Sequence, residues 1–342
     1  MSSPDNSAQP PHPSSRPLLL GLFAAATYSV ANLALRGLSK TDAGLGWDMW
    51  VAGTKAFPTF LIAVVLIALR WRRGLSSFAA FNVVWPIAVA AFFNQLGGNL
   101  PFQMSLRMIG LSISVPICFA SIICSGAVAG RIFLGDQVTF RNALSMALMV
   151  TSIVFLSAAA KTRDADREPP ASATSSGMVR TEASTASADP PPAAKSNAVN
   201  SPTLGVFLAV LSGLCYGVSG VFIRRAVRSQ MPVAATLFLF SAAGFLLLCP
   251  GSLLMLPVTT ISATTGKEWF TIAIAGTFNA IGFFAITHAM RSLNISRANV
   301  INASQNAMCA VGAMVIFNES LSPIGFLGLG LTIAGLLVLD RR

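Results

Sequence analysis

The sequence predicts an all-α integral membrane protein, with ten transmembrane helices arranged as two inverted five-helix repeats. Three observations carry this prediction. Hydrophobic residues make up 54% of the 342 residues while charged ones make up only 10%, against roughly 25% charged in a soluble domain. The apolar residues fall in runs of about 20, the length a helix needs to cross about 30 Å of hydrocarbon. The two halves of the chain resemble one another while carrying opposite charge bias between their loops.

The candidate spans are residues 17–36, 49–69, 84–105, 112–134 and 141–160, then 203–223, 232–253, 269–290, 298–317 and 321–339. Residues 1–16 and 161–202 are rich in Ser, Pro, Ala and charge, with little to bury, and read as a disordered tail and a disordered linker. The first run is no signal peptide. Arg16 is the only base ahead of it, it contains Tyr28 and Asn32, and it is long enough to span. The domain plan is therefore a tail (1–16), a first repeat (17–160), a linker (161–202) and a second repeat (203–342). The five Cys lie inside apolar runs at spacings that match no metal site, so neither a disulfide framework nor a metal or cofactor is expected.

The halves match at three places. Tyr28, Asn32 and Arg36 fall four apart, as do Tyr216, Gly220 and Arg224. Phe93, Asn94, Gly97 and Gln103 correspond to Phe278, Asn279, Gly282 and His288 at a constant offset of 185. Phe133, Asp136, Val138 and Thr139 after span four correspond, with one gap, to Phe317, Glu319, Leu321 and Ser322 after span nine. Such ordered self-similarity indicates an internal duplication. Five spans per repeat is odd, so the second repeat enters the membrane inverted, and Lys and Arg must then favour opposite loops in the two halves. They do. Arg70, Arg72 and Arg73 follow span two against Lys267 alone after span seven, and Arg224, Arg225 and Arg228 follow span six against Arg36 and Lys40 after span one. This orientation puts both termini in the cytoplasm. It places 13 bases and three acids in cytoplasmic segments, so the net charge of +11 is a topology signal and not a nucleic-acid footprint.

Ten spans as five plus five, with an acid, an aliphatic residue and a hydroxyl after spans four and nine, resemble the drug/metabolite transporter superfamily and its EamA-type members. The Gly-rich last span (Gly325, Gly328, Gly330, Gly335) is similar to that family as well. The sequence departs from the pattern in its long linker and in Asp136 where Glu is more common. The resemblance implies a multi-pass transporter in a bacterial plasma membrane that exports amino acids or other small metabolites, or moves sugars, nucleotide sugars or drugs.

The candidate site residues are the polar groups inside spans. No carboxylate sits at mid-span, so the sequence offers nothing for proton coupling through an acid or for acid-pair enzymology. Lys55 is the only base well inside a span; it either faces a cavity as an anion-attracting cation or snorkels to the interface. Asn94, Gln95, Asn99 and Gln103 crowd span three, and the last three, four apart, are expected on one face beside Gly97, Gly98 and Pro101. Asn299, Asn302 and Asn306 repeat this on span nine. Amides in such rows suit hydrogen bonding to a polar solute, and they also serve as interhelical ties. Tyr28 and Tyr216, the only tyrosines, occupy equivalent positions, and Asn279 matches Asn94 across the repeat. His288 is a further candidate, either for proton or substrate binding or as an ordinary packed polar residue. Gly126 and Gly130 are expected to permit close helix approach, and all five Trp to anchor span edges at the interface.

The expected function is alternating-access transport of a small polar metabolite, such as an amino acid, through a cavity lined by spans three, eight, four and nine. Two other classes stay open: a flippase for a lipid or lipid-linked sugar, and a non-transporting membrane scaffold or sensor. The expected partners are the lipid bilayer and a small-molecule substrate.

Overall fold

The computed structural model describes residues 16–38, 44–167, 202–309, 311 and 322–340. The tail, most of the linker, the far half of span nine with the Phe317–Leu321 motif, and residues 39–43 and 341–342 lie outside the described residues.

Every element among the described residues is helical. The order is α1 (Arg16–Arg36), α2 (Leu45–Thr54), α3 (Phe57–Arg72), α4 (Phe81–Phe93), a π-helical segment (Asn94–Asn99), α5 (Leu100–Ile109), α6 (Leu111–Leu134), α7 (Phe140–Arg167), α8 (Pro202–Arg228), α9 (Val233–Met255), α10 (Val258–Ser262), α11 (Gly266–Ala289), α12 (Ile295–Ala303) and α13 (Pro323–Asp340). Seven helical stretches among the described residues are long and apolar enough to cross a membrane, and Phe140–Leu156 and Pro323–Val338 are shorter apolar helices. Large apolar side chains such as Leu254, Phe140 and Phe270 are exposed, as lipid-facing positions are.

Two expected continuous spans are interrupted. Span two breaks at Lys55–Ala56, because Pro58 has no N–H to offer the Thr54 carbonyl one turn earlier. Span three widens into the π segment. Pro101 likewise leaves the Gly97 carbonyl without its α-helical donor, and the Leu100 amide bonds Gln95 O instead, five residues back. A side chain at Gly97 would meet Cys215 Sγ at 2.6 Å and one at Gly98 would meet the Tyr216 ring at 3.1 Å, so these glycines let α8 lie close against the segment. Three boundaries also differ from expectation. Residues 161–167, read as linker, continue α7; Lys161, Arg163, Ala165 and Arg167 are good helix formers and the first Pro comes only at 169. The short α10 occupies what was read as loop. Span nine is interrupted by a turn at Ser304 before helix resumes over 305–309.

Neighbouring helices pair across the halves. The α4–π–α5 rod and α6 run along α8, α1 runs along α11 and touches α12, α2 and α3 flank α9, and α7 lies along α13. The last pair is tied by Ser145 Oγ donating to Gly335 O (2.7 Å) and by Ser152 Oγ donating to Gly328 O (2.6 Å). Gly126 packs on the Asn299 amide and Gly130 on Ile295, the close approach to α12 that their spacing predicts.

The tryptophans divide. Trp71 (79% exposed), Trp85 and Trp269 are exposed, as anchors should be. Trp47 and Trp50 are buried instead. Trp47 Nε1 donates to Leu38 O at 3.0 Å, and Trp50 meets Trp269 edge-on at 5.7 Å. They sit in α2 and cluster with Leu35 of α1, Leu38 just after it, and Ile272 and Ala275 of α11, so both rings fill core space.

The start of α11 is closed by a capping box. Thr265 Oγ1 accepts from the Glu268 amide (3.3 Å), while Glu268 Oε2 accepts from the Thr265 amide (2.7 Å). Thr265→Ala should lower stability by about 1 kcal/mol, seen as a small drop in the detergent melting midpoint with transport retained.

Candidate functional site

A cavity of about 220 Å³ lies between the helices, lined by residues from α1, the α2–α3 junction, the π segment, α5, α6, α8, α9, α11, α12 and the turn after it. Its walls therefore come from more spans than the four expected, and among the described elements α4, α7, α10 and α13 contribute no lining residue.

Nine of the twelve expected residues line it: Tyr28, Lys55, Asn94, Gln95, Asn99, Tyr216, Asn279, Asn299 and Asn302. Lys55 has not snorkelled. It is 6% exposed at the helix break, and its Nζ donates to Asn99 Oδ1 at 3.2 Å. The same oxygen accepts from Tyr216 OH at 2.7 Å. Asn99 Nδ2 donates to Gln95 Oε1 (2.6 Å), and Gln95 Nε2 donates to Phe240 O (2.7 Å). A continuous polar chain thus runs from α2 through the π segment to α8 and α9. The opposite wall carries a second relay. Asn32 Nδ2 donates to Gln305 Oε1 (2.8 Å) and Gln305 Nε2 to Asn302 O (2.8 Å). Asn299 Nδ2 donates to Ile122 O at 3.2 Å, so this amide ties helices while facing the cavity. Thr59 Oγ1 and Asn302 Oδ1 have no hydrogen-bond partner among the described residues.

Three expected residues do not line the cavity. Gln103 is buried elsewhere, with its Oε1 unpartnered, and its neighbour Phe102 faces the cavity from α5 instead. Asn306 is displaced by the turn at Ser304, and Gln305 takes its place on the wall. His288 lies in the last turn of α11 against the Phe284 ring (4.7 Å between centroids).

Asn32, Thr59, Ser219 and Ser241, which are not among the candidates expected from the sequence, also line the cavity. Asn32 had a signal, its place between Tyr28 and Arg36 in a repeated four-residue spacing. The single hydroxyls gave none. The remaining walls are apolar and include Phe102, Phe119, Phe240 and Phe283.

Among the described residues, two buried ion pairs stand outside the cavity. Arg107 Nε lies 2.9 Å from Asp48 Oδ2, joining the end of α5 to the start of α2. Arg224, near the end of α8, bonds Asp136, which follows α6, and the same carboxylate oxygen accepts from the Ile295 amide at 3.3 Å.

Residues 203–339 match the family model of the EamA-like transporter family, which belongs to the drug/metabolite transporter superfamily. It is a family of transporters and not of enzymes. No curated protein matches the chain. One crystal structure of a protein shares the fold, with a TM-score of 0.66 over 95% of this chain and 96% of that chain, at 16% identity.

Proposed function

We propose that this chain, an EamA-type member of the drug/metabolite transporter superfamily, is a secondary transporter that carries a small polar metabolite across the membrane by alternating access. The observation that carries the reading is the cavity, in which Lys55, Asn99, Gln95 and Tyr216 form one hydrogen-bonded group facing a space shared by both halves. Substrate sites of transporters built from repeats lie where the repeats meet, on discontinuous helices whose freed backbone and polar side chains face the cavity. The breaks at Lys55–Ala56 and Asn94–Asn99 fit that rule.

Two inverted five-span repeats account for the pairing of helices. Exchanging each span with the one five later turns the packing of α1 on α11 into that of the α4–π–α5 rod on α8, and the packing of α6 on α8 into that of α12 on α1. The pairs α2–α3 with α9 and α7 with α13 map onto themselves. The tyrosines obey the same exchange: Tyr216 packs at Gly98 of the π segment, and Tyr28 packs at Gly282 of α11. Rocking of one repeat against the other would open the cavity to each side in turn, in a plasma membrane and with both termini cytoplasmic.

Replacing Gln95 and Asn99 together by Leu removes the centre of the polar chain and fills its space with apolar atoms. Uptake and efflux of a metabolite panel in cells should fall at least about tenfold for the carried solute, with membrane insertion unchanged. Full transport by the double variant would overturn the reading and favour a scaffold role.

A further inference from the structure

We infer that the carried solute is an organic monoanion, with one carboxylate head, an apolar or aromatic body and no ammonium group. The inference deepens the transporter reading above and rests on it. Among the described residues that line the cavity, Lys55 is the one charged group, and no carboxylate faces it. The two described ion pairs engage their acids elsewhere: Asp48 with Arg107, and Asp136 with Arg224. Lys55 Nζ has three donors and spends one on Asn99 Oδ1, an oxygen it shares with the Tyr216 hydroxyl. A buried ammonium without a counter-ion is costly, and an anion that brings one negative charge removes that cost and makes the loaded site neutral.

The same arithmetic rejects other charges. An amine would meet Lys55 as a like charge with no carboxylate to hold it. An amino acid would gain at its carboxylate and lose at its ammonium, which would find only neutral oxygens such as Asn302 Oδ1 and Thr59 Oγ1. A phosphate monoester brings close to two negative charges, and one lysine neutralises only one. The apolar part of the lining fits the body, since Phe119, Phe240 and Phe283 offer aromatic surface.

The test uses four solutes that share a phenylpropyl frame: 3-phenylpropanoate, its neutral amide, L-phenylalanine and 3-phenylpropylamine. Binding to the purified full chain is followed by calorimetry, and flux is followed in proteoliposomes. The acid should bind at least about tenfold more tightly than the amide, the ratio a charge-assisted hydrogen bond gives, and both zwitterion and amine should bind more weakly than the acid. Lys55→Met should abolish the preference for acid over amide, while Lys55→Arg, which keeps the charge, should retain it. A similar melting midpoint for both variants separates this from unfolding. Equal binding of the amine or the amino acid, a preference that survives Lys55→Met, or no binding of the acid would each overturn the inference. Failure of the transporter reading looks different: the acid would bind with the Lys55 dependence intact, yet no solute would cross the bilayer.

Discussion

Arg224→Met should destabilise the protein by roughly 3–5 kcal/mol, the cost of leaving a buried carboxylate without its partner. Asp136 and Arg224 are both largely buried, at 10% and 7% side-chain exposure, so water cannot replace the lost guanidinium. The pair also joins parts of the chain distant in sequence. Asp136 follows α6, Arg224 lies in the last turns of α8, and the Ile295 amide that shares the carboxylate opens α12. Asp136→Asn should cost nearly as much, because it strands the arginine. The double variant Asp136→Asn/Arg224→Met buries no unpaired charge and should recover much of the loss. Melting in detergent of the two single variants and the double variant closes a cycle, and strictly additive losses would show that the two side chains do not act on one another.

The sequence could reveal this ion pair only as two edges. Asp136 and Arg224 are visible as charges at the ends of spans four and six, and the charge bias places both on one side of the membrane. What brings them together is the close packing of α6 on α8, which no spacing announces. The same division holds at the site. Tyr28, Lys55, Asn94, Gln95, Asn99, Tyr216, Asn279, Asn299 and Asn302 are legible as cavity residues because polar groups inside apolar runs are costly unless something uses them. Gln103 and Asn306 follow from counting along a regular helix, by fours from Gln95 and Asn99 and by three and four from Asn299 and Asn302. The turn at Ser304 shifts that count for Asn306, while the widening of span three into the π segment reflects both Pro101 and the packing of Gly97 and Gly98 on α8. His288 corresponds to Gln103 across the repeat, and it too falls outside the cavity lining. Trp47 and Trp50 failed for a different reason. A position at a span edge predicts an interface only when no other helix covers that edge, and the end of α1 and the start of α11 cover these two rings.

Gly217→Val should be more damaging than its small change of volume implies, at or beyond the upper end of the roughly 1–3 kcal/mol that overpacking costs. The reason lies in what surrounds the glycine. A Cβ there would come within 2.8 Å of both the Gly126 nitrogen and the Ile122 carbonyl oxygen of α6, and would also collide with Ser125 Oγ. Backbone atoms cannot rotate away, so α6 and α8 must separate along their length. One turn earlier, a Cβ on Gly213 would meet Ser121 Cβ at 2.5 Å and collide with the Cys118 carbonyl. Gly213 and Gly217 are therefore the surface on which α8 docks, a GxxxG pair opposite the Gly126 that the sequence had marked. Separation of these helices would also widen the cavity wall, since Cys118 and Ile122 line it from α6 and Tyr216 from α8. Removing the one clashing side chain with Ser125→Gly should rescue little, because the backbone contacts remain. Gly330→Val, on α13 with nothing within 4 Å of the added carbon, should be near neutral in the same melting assay. Equal midpoints for Gly217→Val and Gly330→Val would refute close α6–α8 docking as a source of stability. A large loss at Gly217 that Ser125→Gly restored would assign the clash to the serine alone.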